Sequence, residues 1–159
     1  IVRGTPTMVQ LLIIYYVVFA SADVNKIVVA VIAFGLNSAA YIAEVIRSGI
    51  MSVDRGQMEA GRSLGLSYSK TMRLVILPQA FKNVMPAMGN ELITLLKETS
   101  ISGYIGLVDL TKGSDIIRSI TYEAMLPLGI VACIYLLIVA ALYLGVRKLE
   151  KHLRRTERR

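Results

Sequence analysis

A chain of 159 residues of which 55% are hydrophobic, with a mean hydropathy of +0.59, is too apolar for an ordinary soluble domain. Its net charge of +7 is segregated: seven basic residues lie between Arg147 and Arg159, directly after a long apolar run, which reads as a cytoplasmic membrane flank rather than a nucleic-acid site. The single cysteine, Cys133, excludes an intrachain disulfide and reads as inert packing within its apolar run; the lone His152, in the basic tail, and the lack of a metal-ligand cluster argue against a membrane enzyme.

The apolar segments come in chain order as Met8–Ala22, Ile27–Ile46, Ala80–Ile101 and Ala124–Val146. The last three have about the 20 residues a helix needs to cross the hydrocarbon core. The first is short, and without a starting Met or signal peptide the sequence reads as an N-terminally truncated fragment. In the second segment Asn37, Tyr41 and Glu44 fall at i, i+4 and i+7 and form a polar stripe. Asn37 reads as interhelical hydrogen bonding, and Glu44 as the i+3 partner of Arg47. Gly35, Ala39 and Ala43 form a second stripe, of small residues suited to close helix packing.

The polar stretch that follows predicts two short helices. Asp54 caps the first, with Gln57 three residues on as in a capping box. Val53, Ala60 and Leu64, with Gln57 between them, give it a mildly apolar face, and Gly65 is a left-handed stop. Ser67 caps a second short turn carrying Lys70 and Arg73. Pro78 then opens the next segment at a helix start.

The third apolar segment carries Asn90, Glu91, Thr94, Lys97, Glu98, Thr99 and Ser100, and intramembrane charge suggests function. Lys97 and Glu98 are adjacent, about 100° apart on a helix, so they do not pair with each other. A free amino acid, with its carboxylate and ammonium, suits them; a structural ion-pair network is the other reading. Pro86 and Gly89 are expected to bend or break this helix. Of the two loops, the one from Arg47 to Arg73 is basic, with Arg47, Arg55, Arg62, Lys70 and Arg73 against Asp54 and Glu59. The one from Ser102 to Glu123 has Lys112 and Arg118 against Asp109, Asp115 and Glu123. The positive-inside rule puts the first loop and the C-terminal tail in the cytoplasm.

The loop from Ser52 to Pro78 holds Glu59-Ala60-Gly61, three residues, Gly65, nine residues, then Val75-Ile76-Leu77-Pro78. This resembles the EAA loop of permease subunits in bacterial ABC importers, with Gly61 where a second Ala is usual and Val75 where Ile is usual. Further segments resemble the polar amino acid subfamily, of glutamine, histidine and basic amino acid type: Arg3-Gly4-Thr5-Pro6 with Val9-Gln10-Leu11, Gly35-Leu36-Asn37-Ser38, Leu77-Pro78-Gln79-Ala80, Gly89-Asn90-Glu91 and Leu96-Lys97-Glu98-Thr99-Ser100.

The resemblance implies an all-α, polytopic membrane helical bundle of the type I importer permease kind, spanning residues 1–159, with a cytoplasmic coupling loop at 47–78 and a basic tail at 147–159. It implies a multi-pass subunit of the bacterial inner membrane that is not itself an enzyme. Glu59, Ala60, Gly61, Gly65, Leu77 and Pro78 would meet the ATPase. Asn37, Tyr41, Asn90, Glu91, Thr94, Lys97, Glu98 and Thr99 are the candidates for the substrate path. Implied partners are ATPase subunits, a second permease subunit (identical or sister), an extracytoplasmic solute-binding protein, a small polar amino acid and the lipid bilayer, with no nucleic acid. No metal or cofactor is expected on this chain, which has no phosphate-binding glycine loop with Lys and Ser or Thr; ATP and Mg belong to the ATPase. A channel-like or scaffolding membrane protein is the alternative.

Overall fold

A computed structural model describes residues 2–155, and the side chains of residues 2–153. The end of the basic tail, 156–159, lies outside the described residues. These contain helices and no strand: α1 Thr7–Ile13, α2 Lys26–Met51, α3 Arg55–Ser63, α4 Tyr68–Thr71, α5 Leu77–Glu98, α6 Leu110–Thr121 and α7 Met125–Arg155. Wide π turns extend α1 through Ile14–Val18 and join α4 to α5 through Met72–Ile76. Two of these helices, α2 and α7, are long and apolar enough to cross a membrane. α5 has the length, 22 residues, but its polar residues keep it out of that class. Only 6% of the apolar window of α7 is buried among the described residues.

Two compact units can be told apart: Ile1–Ala40 with Leu92–Leu142, and Tyr41–Glu91 with Tyr143–Arg159. In the first, Leu11, Ala30, Ala33, Phe34 and Ile105 form the buried core, with Leu95 and Ile101 packed against it. That core sets the register of α2: Val29, Ala30, Ala33, Phe34, Asn37 and Ser38 point inward. Gly35, Ala39 and Ala43, the small stripe expected to pack closely, are therefore left exposed on the other side. Cys133 is also exposed, not packed within the chain. The stretch after α5, which reads in the sequence as a plain loop, is helical for much of its length. A 3-10 turn, Thr99–Ile105, leads into α6, whose first turn is held by Asp109 accepting from the Lys112 N–H at 2.6 Å. The hydroxyl of Ser102 donates to the same carboxylate at 3.1 Å. Within α6, Asp115 lies between Lys112, at 3.5 Å, and Arg118.

In the second unit α2, α5 and α7 approach closely at glycines. A Cβ on Gly49 would stand 2.2 Å from Val84 Cγ2, and one on Gly89 would stand 2.7 Å from Val146 Cγ2. Asn83 Nδ2 donates to Ser52 Oγ at 3.0 Å and ties α5 to the end of α2. Pro86 and Gly89 do not break α5: the helix runs through both, and Gly89 serves as the contact point for α7. Pro78 does not open the helix either, because helical backbone is continuous from Tyr68. The π turn explains this. Pro78 has no N–H, so an α-helix would lose a bond at Leu74. Widening the turn moves the Leu77 N–H onto the Met72 carbonyl, and Gln79 Nε2 donates to the Val75 carbonyl at 2.9 Å.

Candidate coupling loop and translocation residues

The loop between α2 and α5 is built from caps. The Asp54 carboxylate accepts from the Gly56 N–H at 2.6 Å, one residue earlier than the capping-box pattern places it. At the other end α3 closes in a Schellman motif. The Leu66 N–H reaches the Gly61 carbonyl at 3.1 Å, and the Gly65 N–H the Arg62 carbonyl at 3.0 Å. Gly65 sits at φ +82°, which makes it the left-handed stop its position in the sequence suggests. Ser67 Oγ accepts from the Lys70 N–H at 3.4 Å and starts α4.

The inward face of α3 is not the one the apolar spacing suggests. Gly61 is its only buried residue and Met58 is half-buried, while Ala60 is exposed and Leu64 is 83% exposed. The register follows from Thr71, which is fully buried and fills the space beside Gly61. Glu59, Ala60, Leu64 and Gly65 are thus presented outward on a tightly capped knob; Leu77 and Pro78 are exposed on the first turn of α5.

Among the substrate-path candidates, Asn37 is the most distinctive. It is 1% exposed, and its Nδ2 donates to Gln10 Oε1 at 2.9 Å. Gln10 in turn donates to the carbonyls of Thr5, at 3.1 Å, and Val2. The Arg3–Leu11 and Gly35–Ser38 segments therefore meet through two side chains. Gln10 is the residue whose role the sequence did not reveal: an amide in an apolar run carries no periodic signal. Asn37 Oδ1 is buried with no partner among the described residues, a condition worth about 1–3 kcal/mol if it stays unmet.

Tyr41 is half-buried, and Glu44 pairs with Arg47 as its i+3 spacing suggests. On α5, Asn90 and Lys97 are exposed and share one helix face; Glu91, Thr94 and Glu98 are partly buried and share the neighbouring one. Neither Lys97 nor Glu98 has an ion-pair partner among the described residues. Thr99 begins the 3-10 turn and donates to the Leu96 carbonyl at 2.7 Å. No group of acidic, His or Cys side chains among the described residues could hold a metal ion.

Comparison with known proteins places this architecture. The family of binding-protein-dependent transport system inner membrane components matches residues 1–155. The arginine transport system permease protein ArtQ of Bacillus subtilis is 42% identical over 154 residues, covering 96% of this chain and 70% of ArtQ. The glutamine transport system permease protein GlnP of Escherichia coli K12 is 36% identical over 157 residues, covering 97% of this chain and 72% of GlnP. The solved structure of an amino acid ABC transporter with histidines superposes with a TM-score of 0.87 at 44% identity, over 95% of this chain and 71% of that one. The chain belongs to the family of binding-protein-dependent transport system inner membrane components: it is a membrane-spanning permease subunit.

Proposed function

We propose that this subunit forms part of the translocation path of an ATP-driven amino acid importer and couples it to a separate ATPase. The observation that carries the coupling role is the α3–Gly65–α4 knob. It is capped at both ends of α3, it runs without a break into α5, and it turns Glu59, Ala60 and Leu64 outward. An outward leucine on a short, rigid, otherwise polar helix fits a hydrophobic groove on a partner. The basic charge of this loop and of the tail supports a shared cytoplasmic side. ATP and Mg then belong to the ATPase subunits, a second permease completes the pathway, and an extracytoplasmic binding protein delivers the solute.

A zwitterionic solute suits the polar residues of α2 and α5. Glu98 or Glu91 would face its ammonium, Lys97 or Asn90 its carboxylate, and Asn37 Oδ1, which has no partner among the described residues, is a further buried acceptor. Tyr41 on α2, Thr94 on α5 and Thr99 at the start of the following turn are further polar candidates. An unpaired charge within a membrane is costly, so Lys97 and Glu98 gain most from a ligand that completes them. The test is uptake into vesicles holding the full-length chain with its ATPase subunits and binding protein, supplied with glutamine, arginine or histidine. ATP-dependent accumulation of one of them is expected. Flux that needs no nucleotide would instead identify a channel. Glu98→Gln should raise the half-saturating solute level roughly 5- to 150-fold through loss of a charge-assisted hydrogen bond, with assembly intact. Normal transport by both Glu98→Gln and Lys97→Met would remove these two residues from the path.

A further inference from the structure

We propose that the pocket between the 3-10 turn Thr99–Ile105 and α6 is a second amino acid site, which takes the α-carboxylate of the solute on Lys112 before the solute reaches Lys97 and Glu98. The entry role rests on the permease reading above; the site itself rests on the chemistry of the pocket. It is an open pocket of about 400 Å³ and lies wholly within the first compact unit. That volume is in the range of small-molecule sites. Ser100 and Tyr104 line it from the turn, and Thr111, Lys112, Asp115 and Arg118 from α6. Its charges do not cancel, because Lys112 and Arg118 share the single carboxylate of Asp115. Arg118 holds one oxygen closely, while Lys112 reaches the other only at 3.5 Å, the outer limit of a hydrogen bond. Lys112 therefore has donors to spare. The hydroxyls of Ser100, Tyr104 and Thr111 have no hydrogen-bond partner among the described residues. A surplus cation beside three free hydroxyls is completed by a carboxylate, and Asp115 is the acceptor for the ammonium of the same solute. The frame is fixed. Asp109 accepts from Ser102 Oγ at 3.1 Å and from the Lys112 N–H at 2.6 Å, which ties the turn to α6. Gly103 leaves bare backbone for the Lys112 stem: a Cβ there would stand 3.1 Å from Lys112 Cβ. Ser100 follows Glu98, the last residue of α5, by two positions, so the pocket adjoins the end of α5 that carries Lys97 and Glu98. The coupling loop leads into the other end of that helix, so on the permease reading the pocket is at the extracytoplasmic end. The side chains of Lys112, Asp115 and Arg118 are 41%, 44% and 48% exposed, so the solute binds weakly and exchanges fast, as an entry site requires.

The experiment is a titration by saturation-transfer NMR of the full-length chain assembled with its ATPase subunits. The probes are arginine, glutamine and histidine, each beside its α-amide, which keeps the ammonium and lacks the carboxylate. The chain carries Lys97→Met and Glu98→Gln, so that the candidates on α5 do not contribute. Binding of the acids should persist in this chain. Adding Lys112→Gln keeps the stem against Gly103 and the backbone N–H on Asp109, and removes the charge. It should weaken the acids roughly two- to fivefold, the range for a partly exposed pair, and leave the amides unchanged. A merely structural role for Lys112 would move acid and amide alike, and that result overturns the site. So does the absence of acid binding before Lys112 is changed. A third result also overturns it: unchanged acid binding in Lys112→Gln, with more binding protein needed to half-stimulate ATP hydrolysis, would assign the pocket to an acidic side chain of that protein. ATP-driven uptake by the wild-type complex is measured in parallel. Its absence sinks the permease reading and the entry role with it, whereas loss of Lys112-dependent binding sinks the site and leaves the permease reading intact.

Discussion

Gly65 offers the sharpest test of the loop because its role can be separated from packing. Its φ of +82° lies in the left-handed region, and no atom lies within 4 Å of where a Cβ would stand. Gly65→Ala therefore meets no neighbour, and its whole cost is conformational, about 1–2 kcal/mol for an L residue held in that region. The nine-residue α3 is too short to be stable alone. The Schellman bonds from Leu66 and Gly65 are a large part of what closes it. A loss of 1–2 kcal/mol shifts the local folded population by roughly 5- to 30-fold. Hydrogen exchange should show it directly: the amides of Leu64, Gly65 and Leu66 should lose protection by about that factor in Gly65→Ala. Gly65→Asn should lose less, since Asn tolerates the left-handed region. Gly65→Asp adds a charge to the outward face, so it should also separate ATP hydrolysis from uptake while membrane insertion is unaffected. Unchanged protection and unchanged coupling in both Gly65→Ala and Gly65→Asp would mean that the left-handed turn neither holds α3 nor matters to the ATPase.

Three further outcomes follow from the described contacts. Gly49→Ala should destabilise the detergent-solubilised protein by about 1–3 kcal/mol through the clash with Val84, and Val84→Ala in the same chain should recover most of it; an unchanged melting temperature in the single variant contradicts the close approach of α2 and α5. Asn37→Ala should cost roughly 0.5–1.5 kcal/mol from the lost bond to Gln10, and Gln10→Ala should add little on top of it; full additivity in that double-mutant cycle would show that the two side chains do not interact. In a Cys133→Ala background, cysteines replacing Ser69 and His152 should both react with an impermeant maleimide only from the cytoplasmic side, and labelling of Ser69→Cys only from outside would invert the topology.

What could be read from the sequence was whatever leaves a local chemical signature. The caps of α3 and α4 were legible because Asp54, Gly65 and Ser67 act on backbone groups within a few residues of themselves. The Glu44–Arg47 pair was legible for the same reason, as was the membrane character of α2 and α7 from their long apolar runs. Features that depend on a distant neighbour were not. The apolar spacing of Val53, Ala60 and Leu64 pointed to the wrong face of α3, because the inward face is chosen by Thr71, ten residues after Gly61. Pro78 reads as a helix start wherever it stands, and only the compensating π turn lets helix continue across it.

Within a membrane this limit is sharper, because apolarity no longer distinguishes inside from outside. Gly35, Ala39 and Ala43 look like a packing stripe, yet the register of α2 is taken by Ala30, Ala33, Phe34 and Asn37 against α1 and the 3-10 turn. The residues that do mark close approach are single glycines. Gly49 and Gly89 are each matched to one valine, and neither forms a repeating pattern. Polar side chains are the better guide, since burying one without a partner is costly. Asn37 stands out in the sequence as one of a polar stripe with Tyr41 and Glu44, and it is the side chain that joins α2 to Gln10. Its second polar atom remains unpartnered among the described residues.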